Sequence, residues 1–297
     1  MDVEKLFSYT YNITSRYIYA ALFATCAIVT LSGNLISILV FRKQTMRSNS
    51  NRFLTSLAVS DLLVGGICVH LCLHHIITEM FANPNTGKRE YIAMSICANS
   101  SVMTLACIAY DRYCKLFPES YDLRISDLKT KWMIALSWIL AIFFQFFQIL
   151  DDMVTISLQI ILLIFSTSVI GFCYRSISKK IKSDAVTLNH STQDENTKVL
   201  RLQKSKRLAR RLKILVSVYF ACFIPITIMT AIFILISENL LNIDFRALIL
   251  QHFTMVSIFA ITLDSALNPL LNLSTNAKMR KLAKKILSFN GQNRIES

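Results

Sequence analysis

Residues 91–116, YIAMSICANSSVMTLACIAYDRYCKL, stay predominantly apolar until Asp111-Arg112-Tyr113 interrupts them. A stretch of that length crosses about 30 Å of hydrocarbon as a helix. Six more of the same kind lie near 17–41, 53–78, 131–150, 153–177, 212–236 and 247–272. None alternates with the period-two pattern of a barrel strand, and an unpaired strand in lipid would leave its backbone groups without partners. The predicted fold class is therefore an all-α membrane protein, a seven-transmembrane helix bundle.

Composition agrees. Hydrophobic residues make up 54% of the chain, mean hydropathy is +0.48, and 297 residues hold only 6 Gly and 4 Pro, a balance foreign to soluble domains. The first apolar run follows about 16 polar and aromatic residues and is long enough to span, so a cleaved signal peptide is not expected. The chain divides into an extracellular tail (1–16), the bundle (17–275), and an amphipathic helix with a cytosolic tail (276–297).

Orientation follows from charge. With residues at the span ends included, alternate connections and the carboxyl tail carry about 27 of the 32 Lys and Arg, against about 5 on the other side. The positive-inside rule then puts the amino terminus outside. The net charge of +14 belongs mainly to the cytosolic face, where anionic lipid headgroups or an acidic partner meet it, and nucleic acid is not expected. The longest loop, 175–213, has basic ends around a polar centre; they read as cytosolic extensions of spans five and six, serving as stop-transfer anchor and docking surface.

Asp61 is an ionisable group in the middle of a span, costly in lipid and so expected to face the bundle interior. Asn34, Ser101, Asp264 and Asn268 are its candidate partners. Asp111 and Arg112 stand at a membrane edge, where they mark either the end of a span or a switch.

These residues carry a resemblance. Gly33-Asn34 in span one, Leu57-Ala58-Val59-Ser60-Asp61 in span two, Asp111-Arg112-Tyr113 closing span three, Trp138 in span four, Tyr174 in span five, Cys222-Phe223-Ile224-Pro225 in span six and Asn268-Pro269 in span seven resemble the rhodopsin-like (class A) G-protein-coupled receptors, one match per helix and in order. The resemblance covers about residues 17 to 288. It implies a heterotrimeric G-protein as partner, a G-protein switch at Asp111, Arg112, Tyr113, Tyr174, Asn268 and Pro269, and an allosteric sodium ion held by Asp61, Ser101 and Asn268, with Asp264 as an additional carboxylate. By the same likeness Asp111 restrains Arg112 at rest, and Pro225 bends helix six into a lever.

Departures from the family pattern matter as well. Phe223 replaces the usual Trp, Asn272 the usual Tyr, and Ser166 the usual Pro. Ser205 stands where many receptors carry an acid to hold Arg112, so the resting restraint is expected to be loose and basal activity raised. Gly87 occupies the place of the cysteine that staples helix three to the second extracellular loop, which here shrinks to little more than Leu150-Asp151-Asp152-Met153. These traits are similar to the melanocortin, adenosine, lysophospholipid and cannabinoid receptor grouping. Most of the eight cysteines lie deep in apolar runs, where a disulfide framework is not expected.

For the ligand, Met94 takes the place of the aspartate that pairs with amines, and Thr262 that of the retinal lysine. The expected pocket is Met94, Ser95, Ala98, Asn99, Leu158, Leu162, Phe223, Ile226, Thr227, Thr230, Ile258 and Thr262, apolar with a few hydroxyls and one amide, which suits an extracellular lipid-like or small neutral ligand; the competing reading is ordinary packing. Asn12-Ile13-Thr14 is a glycosylation sequon in the outside tail, whereas Asn189-His190-Ser191 lies inside. The segment from Asn276 to Leu287 reads as a basic amphipathic helix on the inner leaflet. His70, His74, His75 and Glu79 cluster at the outer end of span two, as a metal or proton sensor or simply at the water interface.

No phosphate-cradling loop, nucleophile elbow or metal-hydrolase helix is present in the sequence, so an enzyme is not expected. Two other classes compete with the receptor. One is a seven-helix ion transporter or channel using Asp61 and Asp264; the other is a receptor-like protein that has lost signalling.

Overall fold

The structure, a computed structural model, describes residues 13–46, 48–77, 84–117, 125–146, 152–188 and 247–292, with scattered positions between 203 and 228. The described residues form helices α1 (Ile13–Arg42), α2 (Asn49–Ile77), α3 (Pro84–Leu116), α4 (Asp127–Phe146), α5 (Asp152–Leu188), α6 (Ala247–Thr275) and the short α7 (Ala277–Gln292), with a 3-10 turn at Gln44–Met46. No strand occurs among the described residues. Helix α6 carries the seventh predicted span. The sixth is described only at Ile214, Ser217, Val218, Ala221, Cys222 and Ile228, all helical.

Several boundaries differ from the hydropathy reading. Helix α3 begins at Pro84, not Tyr91, and α5 continues to Leu188 beyond residue 177. Hydropathy marks only the part of a helix that lies in hydrocarbon, and PNTGKRE and KKIKSD continue the same helices as polar extensions. Proline suits the first position of α3 because its missing N–H would have no helical partner there. Helix α4 starts at Asp127, before the predicted 131, because Ser126 caps it: the Lys129 N–H donates to Ser126 Oγ at 3.2 Å. Ser48 caps α2 in the same way through Asn51, and Asn276 caps α7 through the Met279 N–H, each satisfying an orphan donor of a first turn.

Helix α2 packs on α1, α3, α4 and α6; α3 also lies against α4 and α5, and α7 lies across α1 and α6. The core joins Phe23, Val40, Phe53, Leu57, Val64, Ala109, Ile170 and Met255. The opposite faces are apolar too: Ile28 on α1, Trp132, Ile139 and Phe143 on α4, and Ile161, Phe165 and Phe172 on α5 are exposed. Apolar surface on both sides of a helix is what lipid permits and water does not. Hydroxyls on exposed faces are satisfied within their own helix, as Thr25 donates to Ala21 O and Ser168 to Ile164 O, both at 2.8 Å. Over their described residues, 17–42, 49–70, 92–116 and 160–184 are each long and apolar enough to cross a membrane.

One contact sets the spacing of α1 and α6. A Cβ added at Gly33 would lie 2.7 Å from Pro269 Cγ and 2.8 Å from its Cβ, so only glycine lets the proline approach. Gly33→Ala is expected to force the helices apart and cost about 1–3 kcal/mol. Gly171→Ala, which meets nothing within 4 Å, is expected to be neutral or slightly stabilising. Thermal denaturation of the purified protein in detergent compares the two.

Candidate functional site

Asp61 is fully buried on α2, and Asn268 Nδ2 from α6 donates to its Oδ2 at 2.9 Å. The other carboxylate oxygen, Oδ1, accepts no hydrogen bond among the described residues. Asp264, one helical turn before Asn268, is also buried and lies near enough for the two acids to interact, and Ser265 stands beside them. Two carboxylates and an orphan oxygen thus share one interior region. Such an arrangement calls for a cation or a shared proton.

The sequence listed Asn34 and Ser101 as further partners of Asp61, and the structure uses them differently. Asn34 Nδ2 donates to Thr30 O at 3.0 Å and to Ser265 O at 3.1 Å. Ser265 is four residues before Pro269, so its carbonyl is the one that loses its helical donor to the proline ring. The amide on α1 replaces that donor. Ser101 pairs with Ser60 at 2.8 Å, tying α3 to α2 immediately beside Asp61. Trp138 Nε1 donates to Ser56 Oγ at 3.1 Å and fixes α4 to the same face of α2.

At the basic end, Asp111 is buried, and its Oδ2 accepts from Ser50 Oγ at 2.5 Å and from Lys115 Nζ at 2.9 Å. Lys115 also reaches Ser50 Oγ. No ion pair or hydrogen bond joins Asp111 to Arg112 among the described residues, although the two charges attract; Lys115, one turn on, holds the acid. Arg112 is half-buried. Tyr113 stacks among Tyr110, Phe117 and Phe172, the nearest ring, Phe117, at 4.7 Å between centroids, and Tyr174 packs against the core. Around them Arg52 bridges to Asp127 at 2.7 Å, Asn49 donates to Ile125 O at 2.8 Å, and Lys278 of α7 reaches Thr45 O at 2.6 Å. These bonds tie α2 to the start of α4, and α7 to the 3-10 turn.

Of the expected ligand residues, Met94, Ala98, Leu162 and Thr262 are buried, while Ser95, Asn99, Leu158 and Ile258 are half-buried. Thr262 donates to Phe259 O at 2.8 Å, while Asn99 Nδ2 is buried without a hydrogen bond among the described residues. Phe223, Ile226, Thr227, Thr230, the sequon at Asn12, and Glu79 lie outside the described residues, as does Ser205. His70 is exposed. No disulfide joins the seven described cysteines.

Sequence reasoning passed over several buried or networked polar residues. Ser50 and Lys115 gave no signal as a pair, since 65 residues separate them, although Lys115 is spaced one turn from Asp111. Ser265 was findable from Pro269 by counting back four residues. Gln145 of α4 is buried, and both its amide atoms lack a hydrogen bond among the described residues.

Residues 33–156 match the model of the seven-transmembrane receptors of the rhodopsin family. The muscarinic acetylcholine receptor M3 of Bos taurus is 31% identical over 125 residues, covering 41% of this chain and 21% of the receptor. A dopamine D2-like receptor of Drosophila melanogaster is 33% identical over 104 residues, covering 34% of this chain and 12% of that receptor. The matches therefore span about a fifth or less of those relatives' length. Squid rhodopsin superposes with a TM-score of 0.74 over 95% of this chain and 87% of its own, at 19% identity. The fold is that of a seven-helix receptor bundle, and these relatives are receptors, not enzymes.

If Asn34 replaces the donor that Pro269 lacks, Asn34→Leu leaves the Ser265 carbonyl buried and unpaired. The expected loss is about 1–3 kcal/mol, read as a lowered midpoint in thermal unfolding of the purified protein.

Proposed function

We propose that this rhodopsin-like seven-helix protein is a G-protein-coupled receptor of the plasma membrane, with its amino terminus outside and its basic face in the cytosol. A ligand entering from the outer side and a heterotrimeric G-protein binding at Arg112 would bias the same two-state equilibrium. The observation that carries this reading is a pair of buried acids on α2 and α6 and, at the basic end, the buried Asp111 beside Arg112 on α3, with α2 meeting α3 at both levels through Ser60–Ser101 and Ser50–Asp111.

The names of the similar receptors point to acetylcholine and dopamine. In this chain Met94, buried and uncharged, stands where an amine would need a carboxylate, so the reading favours a small neutral or lipid-like ligand. Asn99, whose Nδ2 is unpaired among the described residues, offers a donor to it.

A sodium ion fits the residues present. Asp61 Oδ1 is a buried carboxyl oxygen without a hydrogen bond among the described residues, Asp264 and Asn268 share its cluster, and Ser101 lies next to it against Ser60. Sodium bound there would offset the charge of the paired acids and hold α2 against α6. The twin acids also give the transporter reading its one foothold. Ion flux through reconstituted vesicles in the absence of any G-protein would favour it.

Two outcomes are expected. Purified protein in lipid nanodiscs binds at least one nucleotide-free G-protein heterotrimer from a panel of Gα subtypes, and Arg112→Ala abolishes that binding; undiminished binding by the variant contradicts the switch. Replacing potassium by sodium at constant ionic strength raises the thermal midpoint of the wild-type protein, and Asp61→Asn removes the difference.

A further inference from the structure

Asp111 is 2% exposed at its side chain and directly precedes Arg112, yet its carboxylate is occupied by Lys115 at 2.9 Å and Ser50 at 2.5 Å. Lys115 lies one helical turn further toward the basic end and is 50% exposed, so its aliphatic stem reaches back while its ammonium stays at the water boundary. The spacing of four residues makes the pair geometrically natural on one face of α3. Ser50, in the first turn of α2, closes the triangle by contacting both groups.

From this geometry we infer that Lys115 is a positioning residue for the switch: it holds Asp111 against α2 and thereby leaves the Arg112 guanidinium available to a G-protein without ligand. The inference rests on the receptor reading above. A buried carboxylate must be paired, because leaving it uncompensated costs more than any single contact returns. While Lys115 supplies the pairing charge at 2.9 Å, Asp111 attracts Arg112 without a direct ion pair or hydrogen bond to it among the described residues. If the ammonium is removed, Ser50 alone remains, and the adjacent guanidinium is the cation within reach. Asp111 then draws Arg112 inward, away from the docking face. The predicted consequence is inverted from ordinary salt-bridge logic: breaking this ion pair turns the receptor down.

The measurement is binding of the nucleotide-free heterotrimer to ligand-free purified protein in nanodiscs, for wild type, Lys115→Gln, Lys115→Arg and the double variant Lys115→Gln with Asp111→Asn. Lys115→Gln is expected to weaken binding about fivefold, the factor given by a coupling of about 1 kcal/mol. Lys115→Arg keeps the charge and should stay near wild type. The double variant leaves no acid to capture Arg112 and should recover wild-type binding, a rescue that general loss of folding or of a direct Lys115 contact would not produce. Unchanged or tighter binding by Lys115→Gln, or failure of the double variant to recover, overturns the inference while leaving the receptor reading intact. If no heterotrimer binds the wild type, the receptor reading falls and this inference falls with it.

Discussion

A carboxylate in the middle of a membrane helix has to be answered from a neighbouring helix, and Asp61 imposes that requirement on this bundle. Asn268 meets one of its oxygens at 2.9 Å, which fixes α6 against α2 at a definite height and rotation. Once α6 is placed, Pro269 faces α1, and its missing N–H obliges Asn34 to supply the Ser265 carbonyl. Gly33 then has to be glycine, because the proline ring fills the space a methyl group would take. Three helices are thus located by one buried charge and its consequences. Lipid-facing surface contributes little to this order, since apolar side chains gain nothing by leaving one hydrocarbon environment for another.

The same helices place their basic ends as a platform. Ser60–Ser101 and Ser50–Asp111 are contacts of α2 with α3 at two heights, so α2 touches both the mid-bundle cluster and the acid beside Arg112. Trp138 and the Arg52–Asp127 bridge add α4 to this unit. Helix α7 closes it, burying Met279 and Ala283 while its lysines stay exposed. Its basic face suits an anionic leaflet.

Much of this was legible in the sequence because the bilayer makes single residues informative. Runs of about 20 apolar residues fixed the helices, and a lone Asp or Pro inside such a run has few physical readings. The bond from Asn268 to Asp61 was expected for that reason. Helix ends were less legible, because hydropathy ignores the polar turns that carry α3 back to Pro84 and α5 on to Leu188. The partner of Asp111 was harder to read, although Lys115 stands four residues on. Adjacency favours Arg112, and only the placement of Ser50 shows why the lysine one turn away takes the acid instead. Asn34 was matched to the wrong partner because its target is a backbone carbonyl, which sequence does not label.

The central claim is that the buried acids and the Arg112 face belong to one equilibrium. Nucleotide exchange on a responsive Gα, driven by ligand-free purified protein in nanodiscs, tests it when sodium replaces potassium at constant ionic strength. The protein is expected to accelerate exchange, and sodium, by holding α2 against α6 at the acid pair, to reduce the acceleration. Acceleration identical in the two salts, under conditions where Gα alone shows no difference between them, would contradict it.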